Sequence, residues 1–91
     1  MHIIIQARTN STRLPNKIMA DIGGKPMLEH VITNCECANG SKVVVAIPHS
    51  DPCKKWLEEN EYNYFEGSEN DVLDRYYQCA IKYQADVGYY V

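Results

Sequence analysis

A chain of 91 residues, 45% hydrophobic and 23% charged, with five Gly and four Pro, has room for one small core; it excludes two independent domains, a collagen-like repeat and a disordered polymer. No apolar run approaches the roughly 18 residues of a membrane span, and the opening residues lack the leader and cleavage site of a secretion signal, so a cytoplasmic protein with no membrane partner is expected. The net charge of −3 is uneven: residues 1–30 carry Arg8, Arg13, Lys17 and Lys25 against Asp21 and Glu29, whereas residues 31–91 carry five basic and ten acidic residues, a pattern for a small anion and no nucleic acid.

Residues 2–6 (HIIIQ) are β-branched without alternation, as in a strand covered on both faces of a parallel sheet. Residues 7–17 are polar and aperiodic and read as a long loop. Gly23-Gly24-Lys25-Pro26 is turn chemistry, with Pro26 suited to the first turn of a helix. Leu28, Val31, Ile32 and Cys35 then recur at helical spacing until Asn39-Gly40. Residues 42–47 (KVVVAI) form a second buried-type strand ended by Pro48. Asp51-Pro52 is a helix N-cap followed by Pro, and that short helix ends near Asn60. Residues 62–65 are a third strand, and residues 67–70 a turn and cap. Val72, Leu73, Tyr76, Cys79, Ala80 and Tyr83 make one apolar stripe over about three turns. Residues 86–91 begin a fourth strand.

Strands alternating with helices predict an α/β fold: an open parallel sheet with helices on both faces and the first strand in its interior. Ending inside a strand leads us to expect residues 1–91 to be the front, nucleotide-binding part of a single domain that is itself incomplete. Ligands of such sheets sit outside the carboxyl ends of the strands. The loop leaving the first strand carries Arg8, Arg13 and Lys17 among Thr9, Ser11 and Thr12, donors suited to phosphate oxygens. A solvated basic loop is the commoner reading of such a segment, but its length and place favour phosphate binding. Neither a GxxxxGK[ST] loop nor a GxGxxG turn is present.

The segment Ile5-Gln6-Ala7-Arg8-Thr9-Asn10-Ser11-Thr12-Arg13-Leu14-Pro15-Asn16-Lys17, followed by Gly24-Lys25-Pro26-Met27-Leu28-Glu29-His30, resembles the opening of the cytidylyltransferases for 3-deoxy-manno-octulosonate and acylneuraminate. With Gly67-Ser68-Glu69-Asn70-Asp71-Val72-Leu73-Asp74-Arg75-Tyr76 it is most similar to the branch serving spore-coat polysaccharide synthesis. The resemblance covers essentially the whole chain. It implies a Rossmann-like fold of the nucleotide-diphospho-sugar transferase type. The implied activity is transfer of CMP from CTP to a sugar acid, releasing pyrophosphate with Mg2+. It also implies that Arg8, Arg13 and Lys17 bind the triphosphate, with Lys17 and Arg13 catalytic, and that Ala7 and Ser11 approach the nucleotide. Ser68, Asp71 and Arg75 are implied to line the base and ribose side. Asn10 and Asn16 depart from the small residues and Gly that the family carries there. The metal-binding aspartate of the family is expected beyond Val91, so this chain alone is expected to turn over little or nothing. A non-catalytic phosphate-binding or interaction module of the same fold is the rival reading.

The four cysteines are expected to be free thiols, because Cys35-Glu36-Cys37 is neither a CxxC pair nor a metal knuckle. His30 reads as a solvent-facing helix residue. Tyr76, Tyr77 and Tyr83 read as core rather than as stacking platforms. His49 and Ser50 reach the site edge, where a nucleotide contact is the lesser reading. Lys54 and Lys55 read as i,i+4 partners of Glu58 and Glu59. The open fourth strand is the expected place for pairing into a homodimer.

Overall fold

The computed structural model describes residues 2–9, 17–37, 42–85 and 87–90. Strand β1 (His2–Gln6) is followed by a 3-10 turn (Lys17–Met19) and a two-stranded ribbon of β2 (Asp21–Ile22) and β3 (Lys25–Pro26). Helix α1 (Met27–Cys37), strand β4 (Lys42–Pro48), helix α2 (Cys53–Glu59), strand β5 (Asn63–Gly67), helix α3 (Val72–Tyr83) and strand β6 (Val87–Tyr90) complete the order. The main sheet runs β5-β4-β1-β6 with every pair parallel; Ile4 lies between Val44 and Gly88. The first strand is interior with the last beside it, as expected.

The lack of alternation in β1 and β4 has a direct cause. Ile3, Ile5, Ala7, Val43, Val45 and Ile47 face α1 and α2, packing on Ile18, Leu28, Ile32, Cys53 and Leu57. Ile4, Val44 and Ala46 face the other way, onto Cys79, Tyr76, Ala80 and Tyr83 of α3. Both faces are covered, so Ile3–Ile5 and Val43–Ile47 are apolar at every position. The chain changes face between β5 and β6, so α3 lies opposite α1 and α2 and the sheet is doubly wound.

Three expectations need correcting. Pro26 closes β3 instead of opening a helix: it pairs with Asp21 across a two-residue turn, and the Met27 N–H donates to the Ala20 carbonyl at 2.9 Å. That ribbon follows from Gly23 and Gly24, whose φ of 64° and 89° suit a tight hairpin and would strain other residues. Leu73 is 72% exposed and Tyr77 is 60% exposed, so neither belongs to the core stripe of α3. A helix lying on a sheet buries a narrower arc than the stripe that periodicity suggested, and here Arg75 and Cys79 take its centre. Strand β5 extends through Gly67, so the turn before α3 starts one residue later. The stop signal Asn39-Gly40 and residues 86 and 91 lie outside the described residues.

All four cysteines are free. Among the described residues no helix is long and apolar enough to cross a membrane.

Candidate functional site

The carboxyl ends of β1, β4 and β5 open at one edge of the sheet. There a cleft of about 180 Å3 is lined by Arg8, Pro48, His49, Ser50, Asp51, Pro52 and Glu69, drawn from the three segments that leave those strands. Arg8 is exposed, with its backbone held on both sides. The Ala7 N–H donates to the Ala46 carbonyl at 3.0 Å, and the Thr9 N–H donates to Asp51 Oδ2 at 2.9 Å. The Ala7 N–H is therefore committed to the sheet, and Ala7 is 2% exposed.

Asp51 is buried and gathers three donors. Besides the Thr9 N–H, its carboxylate accepts the Thr9 hydroxyl and, at 2.9 Å, the Cys53 N–H. Burial pushes the carboxyl pKa up, but the bonds from Thr9 and Cys53 outweigh that and hold it below its ordinary value. The same environment pushes the Cys53 thiol up to about 12, through burial first and the neighbouring Asp51 second. The N-cap expected at Asp51 is present in this form, with Pro52 helical at φ −56° and α2 starting at Cys53.

The turn after β4 is pinned from β5. The His49 N–H donates to the Gly67 carbonyl at 3.1 Å, and the Ser50 N–H donates to Glu66 Oε2 at 3.0 Å, with Ser50 in the left-handed region at φ 59°. Glu66 Oε1 also pairs with Lys54 Nζ at 3.0 Å. The Ser50 N–H and then Lys54 draw the Glu66 carboxyl below its ordinary pKa. Lys54 is thus tied across to β5, which corrects the expected pairing with Glu58 on its own helix. His30 likewise is not simply solvent-facing: its Nε2 lies 2.7 Å from the Ile22 carbonyl and ties α1 to the ribbon.

The remaining candidate residues divide. Lys17 is exposed at the start of the 3-10 turn, where buried Ile18 anchors the segment to the sheet. Ser11 and Arg13 lie outside the described residues. The Ser68 hydroxyl accepts the Asp71 N–H at 3.0 Å, and Asp71 Oδ1 accepts the Asp74 N–H at 2.9 Å as the N-cap of α3. Asp71 belongs to a separate hollow of about 520 Å3 with Leu73, Asp74, Tyr76 and Tyr77, a surface with two carboxylates and no cation that does not suit a phosphate. Arg75 differs most from a ligand-facing role. It is 2% exposed, with Nε donating to Gln6 Oε1 at 2.8 Å and Nη1 to the Ser68 carbonyl at 2.9 Å. Its stem lies over Gly67, where a Cβ would sit 2.7 Å from Arg75 Cγ. Arg75 organises the β5–α3 connection from inside.

Sequence reasoning missed Asp51 and Thr9 as a pair, because 42 residues separate them and only the cap was legible. His49 and Ser50 line the cleft, at the site edge where their position directly after β4 placed them.

A cytidylyltransferase family model matches residues 2–91. The chain belongs to the cytidylyltransferase family. The 3-deoxy-manno-octulosonate cytidylyltransferase of Bartonella tribocorum is 36% identical over 88 residues, a stretch that is 96% of this chain and 36% of that protein. The enzyme of the same name from Herminiimonas arsenicoxydans is 51% identical over 49 residues, 54% of this chain and 20% of that one. Among solved structures, a cytidylyltransferase from Leptospira borgpetersenii superposes with a TM-score of 0.84 at 31% identity, over 97% of this chain and 40% of that one. CMP:2-keto-3-deoxy-manno-octonic acid synthetase complexed with CTP gives a TM-score of 0.79 at 30% identity, over 98% and 38%. This cytidylyltransferase chain therefore spans two-fifths or less of the length of these relatives. They do not distinguish the spore-coat branch that its motifs resemble.

Proposed function

We propose that this chain supplies the triphosphate-binding side of a cytidylyltransferase that transfers CMP from CTP to a sugar acid and releases pyrophosphate. The observation that carries the reading is the cleft at the carboxyl edge, with exposed Arg8 on a backbone held at Ala7 and Thr9. Its volume of about 180 Å3 is below the roughly 300–1,000 Å3 of whole-ligand pockets, so it fits a phosphate portion and not a complete nucleotide. Arg8 offers a planar fork of donors and Lys17 a point charge on the segment that returns to the sheet. Arg13 and Ser11 join them on the strength of the family resemblance. The proposed chemistry is in-line attack by a sugar hydroxyl on the α-phosphate, where positioning and charge neutralisation do most of the work.

Among the described residues no group of three His, Cys, Asp or Glu converges as a metal site. Asp71 and Asp74 are tied to each other's segment through the α3 cap and do not form one. Magnesium would accompany the triphosphate, and none of these described residues is assigned to hold it. The 3-deoxy-manno-octulosonate relatives support a sugar acid as acceptor, and the motifs support a role in surface polysaccharide synthesis, spore coat included. Pairing of two copies along β6, an edge of the described sheet, is proposed on the same footing.

The test is calorimetric titration of CTP into the 91-residue chain and into Arg8→Ala, at low and high salt. Binding that weakens by about tenfold in Arg8→Ala and with added salt supports the reading, since a charge-assisted bond contributes about 1.5–3 kcal/mol. Equal affinities rule the cleft out. Pyrophosphate release from CTP with magnesium and sugar acids is not expected of these 91 residues alone, which span two-fifths or less of the relatives' length, and turnover by them would contradict that expectation.

A further inference from the structure

We propose that Asp51 is a positioning residue for triphosphate binding, acting through Thr9 to fix the backbone on which Arg8 is presented. The proposal rests on the reading of the cleft given above and deepens it. A carboxylate in the wall of an anion cleft should oppose the ligand, so its presence needs a reason. Capping α2 requires one bond, from the Cys53 N–H. The two bonds from Thr9, 42 residues away, are surplus to that role, and they use both carboxylate oxygens.

The anchor is itself tied to the sheet. Glu66 holds the Ser50 N–H, the Gly67 carbonyl holds the His49 N–H, and the Asp51 N–H closes the turn on the Pro48 carbonyl at 3.2 Å. Strand β5 thus fixes the His49–Asp51 turn, that turn fixes Thr9, and Thr9 with Ala7 brackets Arg8. Arg8 is exposed in the middle of this bracket, with backbone bonds to the sheet on one side and to Asp51 on the other. A cation on a pre-set backbone gives up less conformational freedom when it closes on phosphate. The three donors aimed at Asp51 also offset its charge and engage its oxygens, which lessens its repulsion of the ligand.

The sign of one substitution separates positioning from plain electrostatics. Asp51→Asn removes a negative charge from the cleft, which by charge alone tightens anion binding. Loss of the Thr9 anchor weakens it. Inorganic tripolyphosphate and cytidine are titrated separately into the 91-residue chain, Asp51→Asn, Thr9→Val, Thr9→Ser and Arg8→Ala, with urea midpoints recorded for each. The expected result is tripolyphosphate binding about fivefold or more weaker in Asp51→Asn and in Thr9→Val, less than the loss in Arg8→Ala, where the ligand contact itself is removed. The Asp51→Asn/Thr9→Val double variant, titrated alongside them, should be no weaker than the worse single one, Thr9→Ser should rescue, and cytidine binding should not change. Should Asp51→Asn fail to fold, the Thr9→Val and Thr9→Ser pair carries the same comparison. Tripolyphosphate binding that is unchanged or tighter in Asp51→Asn, alongside a loss in Arg8→Ala, overturns the positioning role alone. No loss in Arg8→Ala overturns the cleft reading beneath it.

Discussion

Replacing Arg75 with Met tests how the inner side of the site is held together. Arg75 and Gln6 are each 2% exposed and joined at 2.8 Å, and Gln6 Nε2 goes on to the Val72 carbonyl at 3.1 Å. Two effects oppose each other. Removing a buried guanidinium recovers a desolvation cost of several kcal/mol. Against this, bonds to Gln6 Oε1 and the Ser68 carbonyl vanish, each about 1.5–3 kcal/mol for a charged donor. The Gln6 oxygen is left buried with its donor gone, a further cost of about 1–3 kcal/mol, whereas the Ser68 carbonyl is only part-buried and can turn to water. We expect a net loss of about 2–4 kcal/mol. With a urea m-value near 1–1.5 kcal/mol/M for a chain of this size, the unfolding midpoint falls by about 2 M. Gln6→Leu added to Arg75→Met removes the stranded oxygen, so the double variant should be more stable than the sum of the single losses predicts, by about 1 kcal/mol or more. A midpoint shift for Arg75→Met below about 0.3 M, or strictly additive variants, refutes this reasoning.

Asp51 gives a pH signature. Its folded pKa lies below its ordinary value of 3.8, so its contribution to stability is complete above that value and is lost as pH falls through the folded value. Urea midpoints should therefore drop more steeply below about pH 4 in the parent chain than in Asp51→Asn; parallel profiles contradict the assignment. Thiol labelling at pH 8 should separate the cysteines: exposed Cys37 reacts first, while Cys53 and Cys79, buried and pushed up to about 12 and about 11, react only on unfolding. Early modification of Cys53 contradicts its placement. Gly88→Ala drives a Cβ into the Tyr76 ring and should cost about 1–3 kcal/mol in a urea titration; a neutral result contradicts the packing of α3 on β6.

Strand identity was legible because a run such as Ile3-Ile4-Ile5 admits only a position covered on both faces, and β1 is so covered. The ribbon of β2 and β3 was not legible as strands, since two-residue strands have no periodicity to read. On α3, spacing counted Leu73 with the core, but the sheet accepts the arc through Arg75 and Cys79 and leaves Leu73 outside. Of the basic segment 7–17, Arg8 and Lys17 are both exposed, as its charge led us to expect, while residues 10–16 lie outside the described residues. Arg75 was not, because sequence marks a cation without showing that Gln6, 69 residues away, receives it. Lys54 fails for the same reason: its partner Glu66 is distant in sequence, and Glu58 on the same helix was only the nearer carboxylate.

The central claim is that the triphosphate binds at the carboxyl edge, between the segments leaving β1, β4 and β5. Backbone amide chemical shifts recorded while CTP is titrated into the 91-residue chain test it directly. The largest, saturable shifts are expected at Arg8, Thr9, His49, Ser50, Asp51 and Glu69, with smaller ones at Lys17. Shifts confined to Asp71, Leu73, Asp74 and Tyr77 along α3, or none that saturate, would contradict it.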